Sequence, residues 1–164
     1  MEIKVYTIAE ISKILQLHRT YVSRLIHEGK LRAAKIGRSY RVLSADLNEF
    51  LGGKIKGQLF TTSQAGKILK IHSLYVMRLI RAGKIKAIKI GKFYRLNPKA
   101  LDNFTGEHPL SQIMTAEEVG KILQVSRITV INLIKEKKLP AFKIGKFYRI
   151  TENMLARFLK IKDF

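Results

Sequence analysis

Apolar residues recur along the chain with a helical spacing that returns every 54 positions. Ile11, Ile14 and Leu15 are spaced to fall on one face of a helix, which predicts that this face is buried. Apolar residues stand at the equivalent positions of two further copies: Ala65, Ile68 and Leu69, then Val119, Ile122 and Leu123. Each copy is therefore predicted to begin with a short amphipathic helix.

A capping box precedes each of these helices. In this motif a Thr side chain accepts a hydrogen bond from a free helical N–H, and a Glu or Gln three positions later reaches back to the Thr backbone. The pairs are Thr7 and Glu10, Thr61 and Gln64, and Thr115 and Glu118. They predict that each first helix begins directly after its Thr.

A second helix is predicted a few residues further on, with Val22, Leu25 and Ile26 on its buried face. The equivalent apolar triplets are Val76, Leu79 and Ile80, then Val130, Leu133 and Ile134. The predicted N-caps are His18, His72 and Ser126. Gly29 and Gly83 are predicted C-terminal stops, whereas the third copy has Lys137, a less favourable left-handed residue, at that position.

A basic extended segment with a central glycine follows the second helix and predicts a β-hairpin that turns at Gly37 and Arg38 in the first copy. One heptapeptide marks this segment: KIGKFYR at 89–95 and 143–149, and KIGRSYR at 35–41. A closing helix is predicted from about Ser44, and its counterpart begins at Asn97-Pro98, a cap followed by proline at the first helical position.

The three copies predict domains at 1–54, 55–108 and 109–164. Gly, Pro and polar residues make 51–58 and 105–112 the predicted linkers. Two helices joined by a short turn and followed by a basic hairpin form a winged helix-turn-helix. The predicted fold class is thus mostly α with small β-hairpins (α+β), organised as three tandem winged helix-turn-helix domains.

Charge separates strongly along this pattern. The chain has 164 residues, a net charge of +20 and an ordinary hydrophobic content of 46%. The second helix and hairpin of the copies, residues 18–42, 72–96 and 126–150, hold 21 of the 32 basic residues and 2 of the 12 acidic ones. Such segregation predicts one anion-binding surface per copy, and the charge favours a polyanionic partner, most often nucleic acid and less often an anionic membrane surface.

Several function classes lack the residues they need. The chain has no Cys, which removes disulfides and thiolate metal sites, and no Ser/His/Asp set or Gly-rich phosphate loop recurs. We therefore expect no enzyme activity, no cofactor and no metal. No window is apolar enough for a membrane span, and the N-terminus lacks a signal-peptide core. The expected location is cytoplasmic, in association with the nucleoid.

The side of each second helix opposite its apolar triplet is predicted to read bases, because Arg can pair with guanine, Asn with adenine, and apolar side chains can contact thymine methyl groups. The candidates are Arg19, Thr20, Ser23, Arg24 and His27; Ser73, Leu74, Met77, Arg78 and Arg81; and Arg127, Ile128, Ile131, Asn132 and Lys135. These positions vary between copies, which suits base reading that differs from copy to copy.

The hairpins hardly vary, which suits contact with phosphates or a narrow minor groove. The candidates are Lys35, Arg38 and Arg41; Lys89, Lys92 and Arg95; and Lys143, Lys146 and Arg149. Tyr40, Tyr94 and Tyr148 are expected to pack on the core, with stacking on nucleotides as the alternative, and the Arg after each Tyr is expected to face the other way. Phe93 and Phe147 are expected to point outward, either into a minor groove or into solvent.

The segment TIAEISKILQLHRTYVSRLIHEGKLRAAKIGRSYRVLSADLNEFL at 7–51 resembles the excisionase-like, MerR-type winged-helix DNA-binding domain, and all three copies match nearly throughout. The resemblance implies a recognition helix in the major groove and a wing on the backbone or minor groove. Gln16, Lys70 and Gln124 stand where the family usually has Gly, so the turn should form with some strain. The chain lacks the long dimerisation helix of ligand-sensing relatives, so no small-molecule effector is expected.

These inferences predict a monomer that acts as a pseudo-trimer on double-stranded DNA and prefers direct repeats. Linkers of about eight residues reach ~28 Å, which permits neighbouring domains to bind about one DNA turn (~34 Å) apart. Three domains at this spacing would cover roughly 30 base pairs. A sequence-specific transcriptional regulator or excisionase-like factor is the leading interpretation. An architectural protein that bends or bridges DNA and an RNA-binding protein are the alternatives, and further self-association on DNA stays open.

Overall fold

The structure, a computed structural model, describes residues 3–53, 57–106 and 113–160, here called units 1, 2 and 3. Unit 1 contains β1 Val5–Thr7, α1 Ile8–Leu15, α2 Arg19–His27, β2 Ala34–Ile36, β3 Ser39–Leu43 and α3 Ser44–Phe50. Unit 2 contains β4 Phe60–Thr61, α4 Thr62–Leu69, α5 Ser73–Arg81, β5 Ile88–Ile90, β6 Phe93–Leu96 and α6 Pro98–Thr105. Unit 3 contains β7 Ile113–Met114, α7 Ala116–Leu123, α8 Arg127–Lys135, β8 Phe142–Ile144, β9 Phe147–Thr151 and α9 Glu152–Lys160.

This architecture confirms the predicted α+β fold with three tandem helix-turn-helix repeats. The predicted domain boundaries, 54/55 and 108/109, lie at or within segments 54–56 and 107–112, outside the described residues.

The helix starts follow the capping signals in the sequence. All three capping boxes are formed, and the Thr7 N–H donates to the Glu10 carboxylate over 2.7 Å. That hydrogen bond holds the pKa of Glu10 below its ordinary value. His18, His72 and Ser126 cap the second helices through their side chains, as predicted.

The turn between the first and second helices is left-handed in every unit. Gln16, Lys70 and Gln124 have φ of 51°, 54° and 54°, so the prediction of a formed but strained turn is confirmed. Lys137 also adopts a left-handed conformation, with φ 58°, where units 1 and 2 have Gly29 and Gly83. The helix end in unit 3 therefore matches the other two in spite of its residue.

Each unit has a three-stranded antiparallel sheet in which the third strand lies in the middle, in the order β1-β3-β2 in unit 1. The hairpin turns at Gly37 and Arg38 as predicted, since Ile36 pairs with Ser39. The first strand was not predicted, because its two or three residues run directly into the capping box and show no alternation. We call β2–β3, β5–β6 and β8–β9 hairpins 1, 2 and 3.

The hydrophobic cores are not confined to single units. The core of unit 1 includes Leu59 and Ile90 from unit 2, and the core of unit 2 includes Ile144 from unit 3. Both isoleucines lie at the same position of the repeated heptapeptide and are at most 2% exposed. Consecutive units are therefore packed against each other, rather than joined by linkers alone.

Candidate nucleic-acid interface

The second helices present the face that the sequence predicts. In α2, Val22, Leu25 and Ile26 are buried. Most candidate side chains on the three helices are exposed: Arg19, Thr20, Arg24, His27, Leu74, Arg78, Arg81, Arg127, Ile128, Asn132 and Lys135. The remaining candidates are half-buried: Ser23, Ser73, Met77 and Ile131. The exposed candidates are polar and cationic in α2, cationic and apolar in α5, and of all three kinds in α8, so each second helix leaves a strip open to a partner.

The hairpins divide into exposed and buried cations. Six candidate lysines and arginines are exposed: Lys35, Arg38, Lys89, Lys92, Lys143 and Lys146. Arg41 is half-buried, whereas Arg95 and Arg149 are only 6% and 4% exposed. The prediction that the arginine after the tyrosine is a DNA-contacting wing residue is therefore wrong for hairpins 2 and 3, where this arginine is buried.

Arg95 is bound to the end of the first helix of unit 1. Its Nε donates to the Leu15 carbonyl and its Nη2 to the Gln16 carbonyl, each over 2.7 Å, while Nη1 donates to its own neighbour, Tyr94, over 2.9 Å. The last carbonyls of a helix have no intrahelical partner and carry its negative dipole end, so a guanidinium fork suits them. Burial lowers the pKa of Arg95, yet arginine stays protonated in proteins.

Arg149 repeats this arrangement one unit later. It donates to the carbonyls of Leu69 at 3.1 Å, Lys70 at 2.6 Å and Tyr148 at 2.7 Å. Burial lowers the pKa of Arg149, and the nearby Glu118 carboxylate acts against that shift. Both guanidinium groups are committed to the preceding unit, so neither Arg95 nor Arg149 is retained as a DNA contact.

Phe93 and Phe147 do not point outward as expected. Each packs edge-on against a tyrosine of the preceding second helix, Phe93 on Tyr21 and Phe147 on Tyr75, with ring centroids 5.6 Å apart. The residue pattern offered a signal for this contact. The aromatic pair occurs at both junctions, whereas the first hairpin has Ser39 and the last second helix has Thr129 at the matching positions.

The glycines of hairpins 2 and 3 allow the tyrosines to approach. A Cβ atom on Gly91 would lie 1.9 Å from the Tyr21 hydroxyl oxygen, and one on Gly145 would lie 1.8 Å from that of Tyr75. Gly37 has nearly the same positive φ, 60°, but nothing within 4 Å of that position. Glycine in hairpin 1 is thus needed for the turn alone, and in hairpins 2 and 3 also for close packing.

Further polar contacts tie the units together. At the first junction the Leu59 N–H donates to the Ile14 carbonyl over 3.1 Å and Gln58 Nε2 donates to the Lys13 carbonyl over 3.0 Å. The end of the predicted linker 51–58 is therefore docked on unit 1, whereas 54–56 lie outside the described residues. The second predicted linker, 105–112, is described only as far as residue 106.

One position in the capping box differs chemically between the junctions. Gln16 Nε2 donates to Gln64 Oε1 over 2.7 Å at the first junction, whereas Lys70 pairs with Glu118 at the second. Burial disfavours the Glu118 carboxylate, but hydrogen bonds from Lys70 and Thr115 outweigh that effect and hold the pKa of Glu118 below its ordinary value.

The hairpins lie next to the second helices. Tyr40 packs on the core of unit 1, as expected, and its ring contacts that of His27 at the end of α2, with centroids 5.5 Å apart. Hairpin 3 contacts α5 through Phe147, and a pocket of about 530 Å³ is lined by Lys146 and by Ile131 of α8. Hairpin 3 therefore lies between two consecutive second helices.

The described residues offer little basis for other kinds of site. Within 3–53, 57–106 and 113–160, no group of three His, Asp or Glu side chains is placed to hold a metal ion. No helix in these ranges is both long enough and apolar enough to cross a lipid bilayer.

Comparison with known protein families gives three matches to one family, described as "Helix-turn-helix domain", at residues 5–54, 59–108 and 113–160. The chain belongs to this helix-turn-helix domain family. Each match spans the first strand, both helices, the hairpin and the closing helix of one unit.

Two kinds of relative match a stretch of the chain that is shorter than one 54-residue copy. "Uncharacterized protein YvgK" of Bacillus subtilis (strain 168) is 43% identical over 44 residues, which are 27% of this chain and 14% of that protein. "Putative DNA-binding protein MT0521" and "Putative DNA-binding protein Rv0500A" of Mycobacterium tuberculosis (strains CDC 1551 / Oshkosh and ATCC 25618 / H37Rv) are each 33% identical over 45 residues, 27% of this chain and 58% of theirs. The chain thus spans little more than half of these relatives, or less.

Proposed function

We propose that the chain binds double-stranded DNA, with α2, α5 and α8 as recognition helices in the major groove and the hairpins as wings of the excisionase-like, MerR-type kind. The observation that carries this proposal is the exposed strip on each second helix. It holds Arg19 and Arg24 in α2, Arg78 in α5, and Arg127 and Asn132 in α8, side chains suited to phosphates and base edges. Membership of the helix-turn-helix family and the names of the mycobacterial relatives support it.

The junctions shape how the three heads would engage DNA. Because Arg95, Arg149 and the two aromatic pairs pack consecutive units together, the spacing of the recognition helices is set by these contacts and not by linker reach. Units related by the same repeated contact should meet successive stretches of duplex in the same orientation. The preferred site is therefore a direct repeat read by one chain, as expected of a non-enzymatic transcriptional regulator or excisionase-like factor.

An architectural role is the second candidate. Three heads held at a fixed mutual angle can impose that angle on a duplex, and the bend would then favour deformable steps over particular base edges. The continuous packing across both junctions favours this candidate. The two roles differ in sequence preference, which decides between them.

Selection of bound sequences from a random duplex pool, followed by footprinting, tests the proposal. We expect a discrete protected site with repeated sub-sites, and weak competition by duplex RNA, whose deep and narrow major groove excludes a helix. A uniform ladder without protection would support the architectural role, and preference for duplex RNA would overturn DNA binding.

Single substitutions then assign the readers. Arg24→Ala, Arg78→Ala and Asn132→Ala should each relax a different sub-site, at a cost of about 1–3 kcal/mol in binding. Arg157→Ala, a change on α9 outside the second helices and hairpins, serves as the control. Identical losses for the three variants on every sequence would contradict the assignment of these helices as base readers.

A further inference from the structure

A small pocket opens where the second helix of unit 2 meets hairpin 3. It has a volume of about 230 Å³. Its lining comes from two units: His72, Leu74, Tyr75 and Arg78 from unit 2, and Lys146 and Phe147 from unit 3. The pocket exists only because the hairpin of one unit packs on the helix of another, and no single repeat contains it.

The pocket combines two cations with an apolar floor. Arg78 and Lys146 are exposed, and within the described part of the chain neither lies within 4 Å of a carboxylate. Leu74, 62% exposed, and the ring of Phe147 supply apolar surface beside them. An oxyanion flanked by a sugar fits this pairing, because the charge meets Arg and Lys while the carbon skeleton meets the apolar floor.

The first junction repeats these parts in a line of contacts. The Arg24 guanidinium lies 4.4 Å from the Tyr21 ring centroid, Tyr21 meets Phe93, and Lys92 Nζ lies 5.5 Å from the Phe93 centroid. Lys146 stands over Phe147 at the same 5.5 Å. Arg24 with Lys92, and Arg78 with Lys146, therefore occupy matching positions at the two junctions. Arg24 also pairs with Glu28 over 3.8 Å, whereas unit 2 has Ala82 in place of that glutamate.

We infer that each junction is a seat for one backbone phosphate of duplex DNA, gripped jointly by the recognition-helix arginine of one unit and the hairpin-tip lysine of the next. This inference rests on the proposed DNA binding and refines it, because Lys92 then serves the sub-site of unit 1 and Lys146 that of unit 2. Base reading by Arg24 and Arg78 is compatible with it, since the five N–H donors of a guanidinium group allow contact with a phosphate and a base edge together. Arg38 stands at the same hairpin position, but within the described residues no helix of a preceding unit packs against it.

Single methylphosphonate substitutions, which neutralise one phosphate at a time, test the seat on the selected duplex. With the wild-type chain, neutralising the phosphate at the junction of sub-sites 2 and 3 should weaken binding about tenfold. Lys146→Ala and Arg78→Ala should each weaken binding of the unmodified duplex, and each should become insensitive to neutralisation of that same phosphate. Lys146→Ala should also reduce the slope of log affinity against log salt by about 1.

Arg38→Ala is the matched control, since it removes the same tip cation from a hairpin without a junction. With Arg38→Ala, neutralising a junction phosphate should weaken binding by the same factor as it does with the wild-type chain. The inference is overturned if neutralising each phosphate weakens binding by Lys146→Ala as much as it weakens binding by the wild-type chain. It is also overturned if Arg78→Ala and Lys146→Ala become insensitive to neutralisation of different phosphates. If the wild-type chain binds no duplex at all, the proposed function itself fails, which is a distinct outcome.

Discussion

Hairpins 1 and 3 have nearly the same sequence but different surroundings. KIGRSYR and KIGKFYR differ only at Arg38/Lys146 and Ser39/Phe147, yet Ile36 is 64% exposed and Ile144 only 1%. Arg149 holds the helix end of the preceding unit, whereas the Arg41 guanidinium donates to its own neighbour, the Tyr40 carbonyl. Nearly the same basic, aromatic heptapeptide is therefore packed at a junction in unit 3 and mostly exposed in unit 1.

Units 1 and 3 also differ in the exposure of apolar residues in and just after their first helices. Ile122 and Val125 of unit 3 are 56% and 39% exposed, while in unit 1 the matching Ile14 is half-buried and Leu17 is buried. Unit 3 also has Thr129 where units 1 and 2 place the junction tyrosine.

The largest effect is expected for the buried arginine. Arg149→Ala leaves the Leu69 and Lys70 carbonyls without their donor at a buried junction, and we expect a loss of about 3 kcal/mol in the free energy of unfolding. Arg41→Ala should cost about 0.5 kcal/mol or less. Urea denaturation measures both, and equal losses would remove the distinction between hairpins 1 and 3.

The glycine of the turn gives the next largest contrast. Gly37→Ala and Gly145→Ala share the cost of a left-handed alanine, about 1 kcal/mol. Gly145→Ala should add about 1–3 kcal/mol, since its Cβ displaces the Tyr75 ring from the hairpin. The difference between their thermal unfolding midpoints measures this added cost. A difference near zero would mean that Tyr75 moves aside without loss.

Removing the aromatic partner should have a smaller effect. Phe147→Ser gives hairpin 3 the residue of hairpin 1 and should destabilise the chain by about 1–2 kcal/mol, through the lost edge-on contact with Tyr75 and lost apolar burial. Ser39→Phe, the reverse change in hairpin 1, faces no tyrosine and should alter stability by about 0.5 kcal/mol or less. Calorimetry on the two variants decides whether the pair contributes at the junction.

The smallest effect concerns pH and the second junction. The pKa of Glu118 is held below its ordinary value of 4.5, so its pairing with Lys70 contributes stability above pH 4.5 that is lost as the pH falls through the lowered pKa. The contribution should stay below about 1 kcal/mol because both side chains are partly solvated. Glu118→Gln introduces the neutral residue that Gln64 provides at the first junction. It should reduce the fall in the free energy of unfolding that accompanies acidification. Urea denaturation at several pH values measures this fall. If the fall is the same in both proteins, Glu118 does not contribute to the pH dependence.

Much of the fold could be predicted from the sequence because its signals are local. Helical spacing, the Thr7 capping box and the Asn97-Pro98 start each act within one or two turns, and the structure confirms them. The β1 strand was missed because its stabilising partner, β3, lies more than 30 residues away. Short strands that depend on distant pairing leave little trace in their own residues.

The candidate site could be predicted only in part, for a related reason. An exposed arginine on a basic hairpin and a junction arginine have the same local sequence, so the residues around Arg95 and Arg149 predict phosphate contacts. Their actual partners are carbonyls of the preceding unit, about 80 positions away along the chain. Comparison of the copies held the missing information. Ser39 and Thr129 depart from the aromatic pair at opposite ends of the array, which is the pattern expected of a contact between consecutive units.

We propose that packing between units, and not linker length, sets the spacing of the three second helices on DNA. The most direct test measures affinity for the selected duplex after five base pairs are inserted between sub-sites 2 and 3, with the natural chain and with ten Gly/Ser residues added within 107–112. We predict that the insertion weakens binding at least about tenfold and that the longer linker does not restore it. Recovery of full affinity by the longer linker would contradict the claim.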